Sequence, residues 1–230
     1  DIDIIVELVG GEKGLPYELA KLSLKNKKHL VTANKAMIAK KGTSLINLAN
    51  KNLVSINFEA SVGGGIPIIR LIQNNLLSGQ ISTIYGILNG TCNYILTQMR
   101  DSKISFSNAL LKAQKLGFAE ANPHDDISGM DTAYKLSILS NLTFGIQTKV
   151  SDIHVEGITN IQEIDLRMAD KLNYTIILLG IAEFKKQELL QRVHPCLVSN
   201  ESMLSHVKNE INTVILEDSH AGKIIAVGKG

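Results

Sequence analysis

Apolar and polar residues follow two alternating spacings in the first part of the chain. Apolar runs typical of strands occupy residues 4–9 (IIVELV), 29–34 (HLVTAN) and 54–58 (VSINF). Helical spacing fills the two intervals between them, at residues 17–26 and about 37–50. This alternation predicts half of a doubly wound parallel sheet. Its first run is expected to be a buried strand that ends in glycines and enters a ligand-facing loop.

The pattern changes after Ser61, where helices predominate and are mixed with strand candidates. The predicted helices cover residues 67–75, 94–101, 105–116 and 131–144, and the strand candidates cover residues 81–88, 174–184 and 188–198. Because strands and helices no longer alternate regularly, we expect an open α+β domain that is inserted after the first domain.

Composition is typical of a soluble globular chain, with 44% hydrophobic residues, 20% charged residues and a net charge of +2. No nucleic-acid partner is expected, because Trp is absent and no basic tract is interleaved with aromatic residues. No membrane partner is expected either, since the apolar runs are shorter than the roughly 20 residues of a membrane helix. Cys92 and Cys196 lack metal-ligand spacing and are predicted to be reduced thiols, which favours a cytoplasmic location.

Residues 117–136 (GFAEANPHDDISGMDTAYKL) carry the candidate chemistry. Turn-forming residues predict a loop up to Gly129, and helical spacing resumes at Asp131. Lys135 then lies one helical turn after Asp131. One interpretation of this pair is an exposed salt bridge of roughly 0.3–0.5 kcal/mol. The other is a buried lysine that needs its partner, because the nearly uncharged run LSILSNLTFGI follows Lys135.

Residues 117–136 resemble the substrate-binding signature of the homoserine dehydrogenases. That signature has a Gly-aromatic-Ala-Glu, then a Pro, an Asp pair, a Gly and an Asp four residues before a Lys. Residues 31–42 (VTANKAMIAKKG), 58–69 (FEASVGGGIPII) and 86–96 (GILNGTCNYIL) resemble other blocks of the same family, in its order. A chance match to four ordered blocks is far less frequent than a match to one short motif.

The resemblance implies an α/β fold with a partial Rossmann-like NAD(P)-binding domain at residues 1–60. A catalytic and dimerisation α+β domain is expected at 61–210, and a dimerisation strand that returns toward the first domain at 211–230. The chain is expected to be an internal fragment, without the GxGxxG unit of the family and without its C-terminal end. Residues 223–230 are predicted to begin the family's Gly-rich loop on the nicotinamide side. A homodimer or higher homo-oligomer is implied, with residues 211–216 (INTVIL) in a shared sheet.

The implied reaction is the NADP- or NAD-dependent interconversion of L-homoserine and L-aspartate 4-semialdehyde, in threonine, methionine and isoleucine biosynthesis. Lys135 is the expected proton donor and acceptor. Asp131 would orient Lys135, or bind the substrate through a water molecule. Lys35 would polarise the reacting oxygen near the nicotinamide. The alternative for this last segment is helix capping by Thr32 or Asn34, with Lys35 merely solvated.

Binding residues also follow from the resemblance. Glu120 and Asp125 are expected to bind homoserine, whose ammonium group needs acidic partners in a closed site. Asn89, Gly90, Thr91 and Asn93 could either hydrogen-bond the substrate or cap the helix expected near Tyr94. The residues expected to contact the cofactor are Gly10, Asn34, Lys35 and Gly228.

The glycine run at residues 63–65 has two compatible interpretations. The resemblance implies a monovalent cation, Na⁺ or K⁺, bound by the main-chain carbonyls of Glu59, Val62, Gly64 and Ile66. The alternative is a domain hinge, with Pro67 starting the next helix.

Two alternatives to the implied function are a related amino acid or semialdehyde dehydrogenase and a non-catalytic remnant module. The missing first βαβ unit would carry the residue that separates NAD from NADP, so the sequence leaves the cofactor preference open. The activity of the fragment by itself, and the presence of a regulatory domain or a fused kinase, also stay open.

Overall fold

The computed structural model describes residues 2–11, 13–75 and 80–230. The first unit is a parallel three-stranded sheet in the order β1-β2-β3. Its elements follow the predicted strand-helix alternation and are β1 (Ile4–Glu7), α1 (Leu15–Lys25), β2 (His29–Thr32), α2 (Lys35–Lys51) and β3 (Ile56–Asn57). The expected βαβ arrangement is confirmed.

The second unit is a six-stranded sheet in the order β5-β7-β6-β4-β8-β9. Neighbouring strands are antiparallel except for β5 and β7. The strands are β4 (Ile81–Ile87), β5 (His154–Val155), β6 (Tyr174–Lys185), β7 (Glu188–Ser199), β8 (Ile211–Asp218) and β9 (Gly222–Lys229). With helices packed on this sheet, the predicted combination of α/β and α+β parts is confirmed.

Helices of the second unit pack against the six-stranded sheet and against each other. They are α3 (Ile68–Asn75), α4 (Gly90–Ser102), α5 (Phe106–Lys115), α6 (His124–Ile127), α7 (Met130–Phe144) and α8 (Glu163–Lys171). In the described ranges, 3-10 turns accompany them at Glu59–Ser61, Val150–Asp152 and Met203–His206. None of the helices in the described ranges is long and apolar enough to cross a membrane.

Helix α7 joins the two units, because it contacts α2 and α3 on one side and strands of the six-stranded sheet on the other. Ala133, Leu136 and Leu139 of α7 are fully buried. The prediction that this helix enters the core is confirmed, and the exposed salt bridge is therefore the wrong interpretation of Asp131 and Lys135. Cys92 and Cys196 are free thiols, as predicted.

The first strand is less buried than the sequence indicated. Ile4 and Val6 of β1 are 56% and 58% exposed, whereas Glu7 is fully buried. In the described part of the chain, β1 forms an edge of its sheet, and α1 packs against it. Successive side chains of a strand point to opposite faces of the sheet, so Ile4 and Val6, on the face opposite to Ile5 and Glu7, stay exposed in the described chain. Apolar composition alone did not reveal this alternation.

Residues 223–230 do not form the predicted loop, since most of them belong to β9. Hairpin pairing of β9 with β8 supplies the backbone hydrogen bonds that a loop would leave unpaired. β8 is also paired with β4 on its other side. Both edges of β8 are thus used within the chain, and the expected place of residues 211–216 in a sheet shared between subunits stays a prediction. Short helix α6 and helix α8 were not predicted.

Gly129 sets the start of α7 and gives a test of the fold. Its φ is +86°, and an added Cβ would lie 3.1 Å from Val155 Cγ1 and 3.2 Å from Val193 Cγ1. Gly117 has a similar φ of +77° with open space around its Cβ position. In the full-length protein, we expect Gly117→Ala to lower the free energy of unfolding by roughly 1–2 kcal/mol. Gly129→Ala should cost about 1–3 kcal/mol more, because crowding is added to the backbone strain.

Urea unfolding of both variants measures this difference. Equal losses in the two variants would contradict a packing constraint at Gly129.

Candidate active site

Asp131 forms ion pairs with two lysines from different helices. Its Oδ2 lies 2.8 Å from Lys135 Nζ, one turn later on α7. Its Oδ1 forms an ion pair with Lys35 Nζ, from the first residue of α2. The Asp131 side chain is 2% exposed, against 14% for Lys135 and 42% for Lys35. The three residues assigned to catalysis from the sequence are therefore brought together around one buried carboxylate.

Lys135 is also held by the backbone. Its Nζ donates a hydrogen bond to the Leu88 carbonyl oxygen at 2.8 Å. Leu88 directly follows β4, so the lysine is fixed between α7 and the end of that strand. Two different acceptors thus define the position of one ammonium group.

The charges of this cluster shift the pKa of its members. Burial would raise the pKa of Asp131, but Lys135 and Lys35 outweigh it and hold the value at about 2. For Lys35, burial opposes the charged form, but the Asp131 carboxylate outweighs it and the pKa is raised. Asp126 and Asp125 add to this effect. Asp131 is consequently a carboxylate at neutral pH, and Lys35 is an ammonium ion.

Asn34 determines where Lys35 begins its helix. Asn34 Oδ1 accepts the Met37 N–H at 3.1 Å and caps α2. Asn34 Nδ2 donates to the Gly11 carbonyl oxygen at 2.6 Å. Capping by Asn34 is thus confirmed, but the alternative in which Lys35 is merely solvated is wrong. Through these two hydrogen bonds, the Asn34 side chain connects the loop after β1 to the start of α2.

Glu7 is a second buried carboxylate, and the sequence analysis did not single it out. Glu7 Oε1 accepts the N–H groups of Val9 and Gly10 at 2.8 and 3.1 Å. Glu7 Oε2 accepts the Thr32 hydroxyl at 2.6 Å, and Thr32 Oγ1 accepts the Asn34 N–H. The sequence feature that could have identified Glu7 is an acidic residue inside an apolar strand, because such a residue needs partners when it is buried.

Asn89 joins α4 to the charged cluster. Its Oδ1 accepts the Cys92 N–H at 2.7 Å, so it caps α4. Its Nδ2 donates to Asp126 Oδ1 at 2.7 Å and to Asp131 Oδ2 at 2.8 Å. The structure therefore gives Asn89 a capping role and a place in the cluster at the same time.

Of the aspartate pair on α6, it is Asp126 that is bonded to the cluster. Asp126 is half-buried, and burial raises its pKa, with Asp131 adding to the rise and Asn89 opposing it. Asp125 is exposed, although its charge still reaches Lys35. Adjacent helical residues point about 100° apart, so only one of the pair faces Asn89. Local sequence patterns do not distinguish between two neighbouring aspartates.

Glu120 lies on the exposed turn after α5, and its carbonyl oxygen accepts a hydrogen bond from Gln114 Nε2. Thr91 donates its hydroxyl to the Phe118 carbonyl oxygen at 2.6 Å. Asn93 donates to the carbonyl oxygens of Val207 and Ile211. Thr91 and Asn93 therefore have structural partners, and the substrate role of Glu120 stays a prediction.

The expected cation-binding segment winds into a tight turn. Gly63 and Gly64 have φ values of +72° and +54°. The carbonyl oxygen of Glu59 accepts the Val62 N–H, and that of Ile66 accepts the Ile68 N–H. Each carbonyl oxygen retains a second lone pair that can bind an ion. The turn is thus compatible with the expected cation.

Glu59 has a further role in this segment, because its carboxylate accepts the Ile69 and Arg70 N–H groups at the start of α3. Pro67 directly precedes that helix, as predicted.

Gly228 lies in β9, where an added Cβ would come within 2.9 Å of Ile66 Cγ1. An added Cβ at this position would therefore displace the Ile66 side chain, and the expected cofactor contact of Gly228 stays a prediction.

The low pKa of Asp131 predicts a pH-dependent contribution to stability. A carboxylate whose pKa falls on folding stabilises the folded state above its ordinary pKa, and this stabilisation is lost as pH falls through the folded value. For the shift from 3.8 to about 2, the contribution is about 2 kcal/mol. In the full-length protein, the stability difference between wild type and Asp131→Asn should therefore shrink by about 2 kcal/mol between roughly pH 5 and pH 2.

Urea unfolding at several pH values measures that difference, with Asp125→Asn as the control at an exposed aspartate. A difference between wild type and Asp131→Asn that does not change with pH would rule out the linkage.

Comparisons with known proteins point to one family. The homoserine dehydrogenase family profile matches residues 67–230. A homoserine dehydrogenase of Helicobacter pylori is 45% identical over 230 residues, covering all of this chain and 54% of that protein. The crystal structure of a homoserine dehydrogenase from Thiobacillus denitrificans has a TM-score of 0.96 and 41% identity, covering all of this chain and 53% of that one.

A hyperthermophilic archaeal homoserine dehydrogenase in complex with NADPH has a TM-score of 0.84 and 28% identity. It is matched over 99% of this chain and 66% of its own. The chain spans about half the length of the curated relatives first matched. Since the profile matches more than half of the chain, the chain belongs to the homoserine dehydrogenase family.

Proposed function

We propose that the protein containing this chain catalyses the NAD(P)-dependent interconversion of L-homoserine and L-aspartate 4-semialdehyde. The observation that carries the proposal is the buried Asp131 carboxylate with Lys35 on one oxygen and Lys135 on the other. Two ammonium groups that share one carboxylate can converge on a single substrate oxygen. That oxygen gains negative charge when an aldehyde is reduced, and a cation beside it stabilises the charge.

Lys135 is the proton donor in this proposal. An ammonium group has three N–H bonds. Two of them are directed at Asp131 and at the Leu88 carbonyl oxygen, which leaves the third for a substrate oxygen. During reduction, Lys135 Nζ gives a proton to the semialdehyde oxygen, and during oxidation it accepts the homoserine hydroxyl proton. Lys35, which is more exposed, stabilises charge on the same oxygen.

Binding of the substrate ammonium group is assigned to acidic residues near the lysines. Asp125, Asp126 and Asp131 all act on Lys35, and Lys135 completes the group. Three carboxylates against two ammonium groups leave a formal charge of −1, which favours a cationic ligand. We assign this contact to Glu120 and Asp125, as expected from the sequence, and add Asp126 because it is bonded to the cluster.

The loop after β1 is the proposed cofactor contact, with Asn34 and Lys35. Gly10 and Gly11 have φ values of +80° and +87°, and space is open around both Cβ positions. Backbone of this kind lets a ligand approach closely. The loop also lies at the carboxyl end of its strand, where ligands bind in open α/β sheets. When bound, NADP or NAD accepts the hydride, and its reduced form supplies the hydride in the reverse direction.

NADP is supported by the relative whose structure is described in complex with NADPH. The choice between NADP and NAD is left to the assay. We also propose a homo-oligomer. In the described chain, β9 forms one edge of the six-stranded sheet, and two-residue β5 leaves most of β7 open at the other edge, so both edges are candidates for pairing between subunits.

Replacement of Lys135 by Ala in the full-length protein tests the reaction and its proton donor. Turnover with homoserine should fall by at least about a hundredfold, a loss typical of removing a general acid. The KM for homoserine should change little, because the carboxylates that bind the ammonium group are retained. The assay measures homoserine-dependent reduction of NADP and of NAD. Lys115→Ala, at an exposed lysine on α5, is the matched control.

Unchanged turnover in Lys135→Ala would remove this residue from the mechanism. A wild-type protein that is inactive with homoserine but oxidises another amino alcohol would indicate a related dehydrogenase. Inactivity with every such substrate would favour a non-catalytic module.

A monovalent cation is proposed at the carbonyl oxygens of Glu59, Val62, Gly64 and Ile66. An alkali ion prefers neutral oxygen donors, and this turn supplies them. Exchange of Na⁺ and K⁺ for choline at constant ionic strength should lower the melting temperature of the full-length protein, because the ion binds only the folded turn. Differential scanning fluorimetry measures the shift. Equal melting temperatures in the three salts would exclude a stabilising ion.

A further inference from the structure

Asn89 uses both ends of its side-chain amide at the entrance to α4. The Oδ1 atom caps the helix through the Cys92 N–H. The Nδ2 atom donates one hydrogen bond to Asp126 and one to Asp131. Asn89 is 4% exposed, so these bonds are shielded from water. A residue needed only as a helix cap has no reason to tie two carboxylates together.

We propose that Asn89 is a positioning residue for the reaction, because its Nδ2 group holds the Asp126 carboxylate beside Asp131. Asp126 is then presented to the substrate ammonium group, and Asp131 is presented to the two lysines. This inference rests on the proposed function, since it concerns how homoserine is bound.

The bridge is needed because two neighbouring carboxylates repel each other. An amide NH₂ group has two hydrogens at a fixed angle, so it can satisfy one oxygen of each carboxylate in a single geometry. Without it, Asp126 would lose a charge-assisted hydrogen bond while it is still half-buried beside Asp131. The carboxylate would then either become protonated or rotate away from the substrate.

Groups from several elements act on the Asp126 carboxylate. Asp131 of α7 raises its pKa, whereas Lys35 of α2 and Lys135 of α7 lower it. From α4, Cys92 donates its thiol to the Asp126 carbonyl oxygen, and burial keeps this thiol protonated by raising its pKa. The Asn89 hydrogen bond lowers the pKa of Asp126. Loss of Nδ2 therefore moves that pKa upward.

Capping and bridging can be separated by Asn89→Ser. Serine caps helices about as well as asparagine, so its hydroxyl replaces the bond to the Cys92 N–H. It has no NH₂ group, and its shorter side chain does not reach both carboxylates. Asn89→Asp also keeps the cap, but it places a third carboxylate against Asp126 and Asp131.

The experiment measures kinetics of the full-length protein as a function of pH, for wild type, Asn89→Ser and Asn89→Asp. We expect kcat/KM for homoserine to fall about tenfold or more in Asn89→Ser, the loss expected for one hydrogen bond to a charged group. The acidic limb of the pH profile of kcat/KM should move to higher pH in Asn89→Ser. The KM for NADP(H) should change less than about twofold. In an Asp126→Asn background, Asn89→Ser should cost less than in wild type, because the charged contact with Asp126 is already removed and only the bond to Asp131 is lost.

A wild-type pH profile and wild-type kcat/KM in Asn89→Ser would overturn the proposal and leave Asn89 as a cap only. If Asn89→Ser does not fold, the nearly isosteric Asn89→Asp decides in its place. It is expected to show the larger upward shift of the acidic limb, and an unchanged profile would overturn the proposal. An inactive wild-type protein would overturn the proposed function as well, which distinguishes the two failures.

Discussion

The structure depends on one buried carboxylate, Asp131, that is neutralised by two lysines from different parts of the chain. Removing a carboxylate from water is costly unless charged partners and hydrogen bonds replace the lost solvation. Lys135 supplies one partner from the same helix, and Lys35 supplies the other from α2. Because α2 belongs to the three-stranded unit and α7 packs on the six-stranded sheet, the ion pair between Lys35 and Asp131 links the two units at the site.

Two charged residues of this cluster lie in the first turn of a helix. Lys35 is the first residue of α2 and Asp131 the second of α7, so both lie where the helix dipole is positive. That position favours Asp131 and disfavours Lys35 by roughly 0.3–1 kcal/mol each. The unfavourable placement of Lys35 is offset by its ion pair with Asp131. The lysine is thus held where the isolated helix would not favour it, which is common for residues selected for function.

The sequence was sufficient for the features that local spacing determines. Helical periodicity and the uncharged run after Lys135 predicted the burial of α7, and the strand-helix alternation predicted the first sheet. Contacts between distant segments could not be predicted from the sequence. The choice of Asp126 over Asp125 depends on which face of α6 meets Asn89, about 37 residues earlier in the chain. The pairing of β9 with β8 depends on a hairpin whose alternation was hidden by the glycines at its end.

Two asparagines make contacts of the site that local sequence patterns did not reveal. At Asn34 and at Asn89, the side-chain oxygen caps a helix, while the side-chain NH₂ group bonds to a distant acceptor. A capping role was considered both for Asn34 and for Asn89, but a cap uses only the acceptor half of an amide. The donor half is free to organise the site, and its target is set by tertiary structure. Replacement of either residue by aspartate would keep the cap and lose the second contact, so capping propensity by itself does not account for asparagine at these positions.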